Sequence, residues 1–232
     1  MTTTNIEFLA AEETPIGMIA LRRRELLSEP GTVITEITLD HEFLMSSYNT
    51  ASERALAHSA IEMHGGSNLD VLVGGLGLGY TAHAALASEQ VSSVEVVEFL
   101  PPVIAWVENG LVPLSSELMA DPRFVVRQGD VYAGLAESPG RRFDVIIIDV
   151  DHSPDERLGE VNGSFYSDAG LRLAKQHLEI GGVLGVWSYA EHTPFADALR
   201  RVFGEVRVEP VSFYNPIAEE DESNWLFFAR DP

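Results

Sequence analysis

The sequence predicts an α/β protein: a doubly wound, mainly parallel sheet with a small β-hairpin region ahead of it. Three features predict this. From residue 50 onward, short apolar runs alternate with segments of helical spacing, the pattern of repeated strand–helix–strand units. One run, Val145-Ile146-Ile147-Ile148, is continuously apolar, as suits a strand covered on both faces. A strand-like run, Val71–Val73, enters a turn with glycines at 75, 77 and 79 and leaves it in a helical segment. The expected organisation is an N-terminal β region over 1–49 and a Rossmann-like domain over 50–232.

The elements follow in order. Ile6–Ala10, Gly17–Leu26, Thr32–Leu39 and Phe43–Ser47 read as strands, with turns at Thr14-Pro15 and Glu29-Pro30-Gly31. Thr50-Ala51-Ser52-Glu53 has the spacing of a capping box and starts a helix to about Met63, ended by Gly65-Gly66. Leu69–Val73 is a buried strand, Tyr80–Ala87 a helix and Val94–Val97 a strand. Pro101–Asn109 is a helix with proline in its first turn and Gly110 at its end. Phe124–Gln128 and Phe143–Asp149 are further strands. A loop of about a dozen residues follows, longer than the usual ~2–6 of such connections. Phe165–Leu178 has helical spacing, broken by Gly181-Gly182 before a strand at Val183–Trp187. Thr193-Pro194 opens a helix closed by Gly204. Val206–Phe213 and Asn224–Ala229 are successive strands around an acidic loop, Ala218–Ser223, and imply an antiparallel edge.

Composition narrows the function. Acidic residues number 36 against 15 basic, a net charge of −21, and Lys175 is the only lysine. Such a surface repels phosphate backbones and anionic lipid, which argues against nucleic-acid and membrane partners. It attracts cationic small molecules, although acidity alone also serves solubility. The absence of cysteine excludes disulfides, thiolate metal sites and a cysteine nucleophile, and fits a cytoplasmic protein. The first fifteen residues lack the basic-then-apolar pattern of a signal peptide.

Chemistry-bearing residues fall at strand ends. Gly75-Leu76-Gly77-Leu78-Gly79 differs from the pyrophosphate-cradling pattern because position 80 is Tyr. Glu98 ends the second strand of the α/β region, where such folds place a carboxylate that accepts from a ribose diol. Gly129, Asp130 and Val131 follow the third. Asp130 there accepts from an adenine amino group with an adjacent amide facing the ring, or caps the next helix. Together these describe an adenosine site without a phosphate, the geometry of S-adenosylmethionine or a relative. Asp149 ends the fourth strand, with Asp151 and His152 beyond it. It orients or deprotonates an incoming amine. The alternatives are a capped turn, or a metal site shared with Asp151 and His152. The segment Met45–Asn49 joins the two regions and is placed to face the site, and Trp187 and Tyr189 end the fifth strand at the same rim.

The order of these motifs resembles the spermidine synthase family, and more closely its short spermidine-synthase-like members, over nearly the whole chain. The matching segments are Gly75–Thr81, Val97-Glu98, Gly129-Asp130, Asp149–Pro154, Phe165-Tyr166, Gly181-Gly182, Asn224-Trp225 and Phe228-Ala229. The resemblance implies a class I methyltransferase fold. It also implies an S-adenosylmethionine or decarboxylated S-adenosylmethionine donor, held by Gly75, Gly77, Leu78, Gly79, Glu98, Gly129, Asp130 and Val131. Asp149, with Asp151 or His152, would act on a small, cationic amine acceptor, and the protein would be a homodimer. In that family the glycine loop carries an acid for the primary amine of the decarboxylated donor, where this chain has Leu78. The family's tyrosine–histidine–glutamate segment is reduced to Ser52-Glu53. The expectation is therefore alkyl transfer, with methyl favoured over aminopropyl transfer to a polyamine. A non-catalytic nucleoside-binding or scaffold protein is the reading from a different class. Val150–Ser164 is expected to close over bound ligands.

Overall fold

The structure, a computed structural model, describes residues 6–150, 164–215 and 220–231. Strands β1 (Ile6–Thr14), β2 (Gly17–Glu25), β3 (Val33–Leu39) and β4 (Glu42–Ser46) form an antiparallel sheet in that order. There follow α1 (Ala51–His64), β5 (Leu69–Gly74), α2 (Tyr80–Leu86), β6 (Val91–Glu98) and α3 (Pro101–Glu108). Next come α4 (Ser115–Ala120), β7 (Phe124–Gln128), α5 (Val131–Ala136) and β8 (Phe143–Ile148). The chain closes with α6 (Asp168–Gln176), β9 (Leu178–Ser188), α7 (Thr193–Val202), β10 (Glu205–Asn215) and β11 (Glu220–Arg230).

The second sheet has seven strands in the order β10-β11-β9-β8-β5-β6-β7. The five from β9 to β7 are parallel, and β11 joins β9 antiparallel, giving the expected antiparallel edge. Strand alternation divides its side chains between two layers. Val71, Val73, Val145 and Ile147 bury one face against Leu56, Ala60, Ala84 and Trp106 of α1–α3, and Ile19, Leu21 and Ile37 of the first sheet join this cluster. Leu72, Ile146 and Ile148 bury the other against Leu135, Leu171, Phe195 and Leu199 of α5–α7. Each such aliphatic side chain, fully buried, contributes roughly 1.5–3 kcal/mol. The continuous apolar run of β8 follows from this two-sided burial.

The topology fixes where a ligand can bind. From β5 the chain moves outward through β6 and β7, then returns to place β8 on the opposite side of β5. The direction of winding reverses between β5 and β8, and ligands of open α/β sheets bind outside the carboxyl ends at that switch.

Several local expectations are corrected. Thr50 makes no side-chain cap on α1; its hydroxyl accepts from Arg54 Nε at 3.1 Å instead. The helix expected over Phe165–Leu178 starts at Asp168, because Ser167 Oγ caps it by accepting from Gly170 N at 3.1 Å. Gly181 and Gly182 lie inside β9, not ahead of it, at an irregularity in its pairing with β8. Part of the acidic loop, from Glu220 on, is strand paired with β10. Helix α4 was not expected. Among the described residues no helix is long and apolar enough to cross a membrane.

Candidate active site

A cavity of about 270 Å³ lies at the switch point. Its floor is the glycine turn after β5. Gly75 has φ +95°, and a Cβ there would stand 2.1 Å from the carbonyl oxygen of Asp149, so the backbones leaving β5 and β8 abut. Gly77 has φ +49°, and its Cβ would meet Met45 Sδ at 2.5 Å. Met45, from β4, thus lays its thioether on the turn. Ile16, Ile19, Ile37, Leu39 and Leu44 of the first sheet continue this apolar wall.

The acids stand on the polar side. Glu98 is 7% exposed. Its Oε2 accepts from Leu76 N at 2.8 Å and its Oε1 from Leu100 N at 2.7 Å. Burial pushes the Glu98 carboxyl above the usual carboxylate range, against the lowering effect of these amide bonds. The backbone amides of Gly77 and Phe99 bond the same carboxylate. Asp130 Oδ1 accepts from Tyr132 N at 2.9 Å and Ala133 N at 3.2 Å, so the cap reading holds while the residue also lines the cavity. Asp149 follows β8, donates its N–H to Gly74 O at 2.8 Å, and accepts at Oδ2 from the Thr81 hydroxyl. Thr81 stands in the first turn of α2.

The cavity therefore brings together Gly75, Gly77, Glu98, Gly129, Asp130, Val131 and Asp149. It does not bring in Leu78. Glycines of the turn face the cavity while Leu76 and Leu78 point into the core, 5% and 2% exposed. Gly79 is the left-handed residue ahead of α2 and does not line the cavity. Asp151, His152 and most of the segment Val150–Ser164 lie outside the described residues, and so does the metal alternative that shares them.

Sequence reasoning missed Tyr132 and misplaced the two aromatic residues at the end of the fifth strand. Tyr132 lines the cavity, and its hydroxyl lies 2.8 Å from that of Tyr166 in a cluster with Phe165 and Phe195. Burial pushes both phenols up. Trp187 does not wall the cavity: its Nε1 donates to Ser52 Oγ at 3.1 Å. Tyr189 is 46% exposed and does not line it either. Met45, in the joining segment that the sequence placed to face the site, does line the cavity.

No known family model matches the chain. A polyamine aminopropyltransferase of Prochlorococcus marinus (strain MIT 9313) is 27% identical over 167 residues, covering 69% of this chain and 56% of that protein. The chain thus spans little more than half the length of that curated relative. Among solved structures, the spermidine synthase of Thermotoga maritima matches with a TM-score of 0.74 at 20% identity, over 97% of this chain and 73% of that one. A spermidine synthase in complex with the transition-state analogue AdoDATO matches with a TM-score of 0.71 at 19% identity, over 97% and 72%. The fold is the class I methyltransferase-like α/β fold, with an antiparallel sheet ahead of the parallel one. Within that class, the similarity of sequence and fold is to the spermidine synthase family, which bears out the resemblance carried by the motifs.

Proposed function

We propose that this protein is an aminopropyl-group transferase that takes a decarboxylated S-adenosyl sulfonium donor and a small amine acceptor. The observation that carries the proposal is the charge of the cavity. Glu98, Asp130 and Asp149 line it, and no Lys, Arg or His does among the described residues. A cation is stabilised there. A donor that keeps its carboxylate would bring an anion to three acids with no partner, a costly arrangement. The names of the sequence relative and of both structural neighbours point the same way. Methyl transfer, favoured from the sequence because of Leu78, loses its main support, since that side chain is packed in the core and does not line the cavity.

In this reading Glu98 holds the ribose diol and the Gly129–Val131 turn holds the adenine edge. The acceptor nitrogen attacks the carbon beside the sulfonium. A C–N bond forms, the C–S bond breaks, the sulfur keeps the electron pair, and methylthioadenosine leaves. The nitrogen releases one proton, which Asp149 accepts. In-line positioning of nucleophile and sulfonium supplies much of the rate. Calorimetric titration with both donors in one buffer tests the donor assignment. The decarboxylated donor is expected to bind at least about 10-fold more tightly, as one unpaired charge costs at least ~1.4 kcal/mol. Equal or tighter binding of intact S-adenosylmethionine would restore the methyl-transfer reading.

A further inference from the structure

We propose that Thr81 is a positioning residue for the transfer: its hydroxyl fixes the Asp149 carboxylate at the angle from which it takes the proton leaving the acceptor nitrogen. The assignment rests on the transfer reading above and adds to it a residue that does not itself line the cavity. Thr81 is 3% exposed and stands in the first turn of α2. No substrate atom has to touch it, so its effect on the reaction runs through Asp149.

The hydroxyl is committed to that carboxylate. A threonine in a helix commonly turns its hydroxyl back to a carbonyl of the preceding turn. That of Thr81 crosses instead to the end of β8 and donates to Asp149 Oδ2. A hydroxyl has one hydrogen to give. The other acceptor near it, the Glu53 carbonyl oxygen, is 3.4 Å away, at the outer limit of a useful bond. A bond to a charged oxygen is also stronger than one to a neutral carbonyl. The hydrogen therefore belongs to Asp149.

Both ends of the bond are anchored. Ala82, Ala84 and Ala85 bury α2 in the core cluster that holds Leu56 and Ala60 of α1. Ahead of the helix, Gly79 has φ +88°, and a Cβ there would stand 2.5 Å from Leu118 Cδ1 of α4. The Asp149 backbone is tied by its N–H to Gly74 O at 2.8 Å, and its carbonyl abuts Gly75. The side-chain torsions of Asp149 are the remaining freedom, and the Thr81 hydroxyl restrains them. Glu98 and Asp130 are held differently, by main-chain amides that no substitution removes. The restraint from Thr81 to Asp149 rests on one side chain, and a substitution can take it away. Transfer is sensitive to such placement: a displacement of about 1 Å costs up to about 10²-fold in rate.

The test is a double-mutant cycle, read in kcat with decarboxylated S-adenosylmethionine and a saturating small diamine. Thr81→Val keeps the branched shape and removes the hydroxyl. It should lower kcat about 10- to 100-fold while methylthioadenosine, titrated by calorimetry, binds within about threefold of wild type. Thr81→Ser keeps the hydroxyl and should recover most of the loss. In the Asp149→Asn background the same Thr81→Val change should alter the residual single-turnover rate by less than about twofold, because the charge it positions is already gone. A merely structural role would lower the rate by the same factor in both backgrounds, or weaken methylthioadenosine in step with kcat, and either result overturns the assignment. So does a wild-type kcat in Thr81→Val, or a Thr81→Ser variant as slow as Thr81→Val. A wild type that transfers nothing from the decarboxylated donor to any amine overturns the transfer reading, and this assignment with it.

Discussion

Replacing Asp149 with asparagine is expected to lower turnover about 10²–10⁴-fold while nucleoside affinity stays within a few-fold. The expectation follows from where β8 ends. Its run of buried Val and Ile holds the strand rigidly between two helical layers, and Asp149 is the first residue past that run. The backbone bond from Asp149 N to Gly74 O ties it to the glycine turn, and the Thr81 hydroxyl orients its carboxylate. Asparagine keeps an acceptor oxygen for Thr81, so the geometry should survive. It removes the proton-accepting charge, so the chemical step should not. Steady-state kinetics beside methylthioadenosine titration separate the two. A variant that turns over at the wild-type rate would remove Asp149 from proton transfer.

Gly75→Ala is expected to destabilise the fold by about 3–5 kcal/mol, a large part of the ~5–15 kcal/mol available to a typical chain. Two penalties add. The φ of +95° is one that side-chain-bearing residues avoid, and the new methyl would stand 2.1 Å from the Asp149 carbonyl oxygen. That oxygen belongs to a strand end and cannot swing aside as a side chain would. Relief requires separating β5 from β8 at the ligand site. Gly140→Ala is the matched control, because a Cβ there meets nothing within 4 Å. It should change stability by less than about 0.5 kcal/mol. Urea denaturation of both variants decides the matter; equal midpoints would show that the turn is not locked against β8.

The pattern of what was legible in the sequence is physical. The parallel sheet was legible because two-sided burial writes itself as continuous apolar runs, as in Val145–Ile148. Glu98, Asp130 and Asp149 were legible because each sits at its own strand end, a position that local sequence defines. Leu78 was misplaced. The alternation Gly-Leu-Gly-Leu-Gly does not say which side faces the ligand, and the packed core decided that the leucines turn away. Helix α4 escaped notice because six residues give too short a period and no side chain caps it. The false capping box at Thr50 shows how spacing alone misleads: the Ser52 hydroxyl reached Glu53 first. Ser52's partners, Trp187 and Asn224, lie so far along the chain that no local pattern encodes their meeting.

The central claim is that this cavity transfers an aminopropyl group from a decarboxylated donor. Incubating the 232-residue chain with decarboxylated S-adenosylmethionine and a panel of small diamines, then following both products by mass spectrometry, tests it most directly. The account predicts methylthioadenosine and an N-aminopropylated amine in equal amounts, and no transfer from intact S-adenosylmethionine. A methylated acceptor formed from the intact donor, or a donor that binds tightly and is never consumed with any amine, would contradict it.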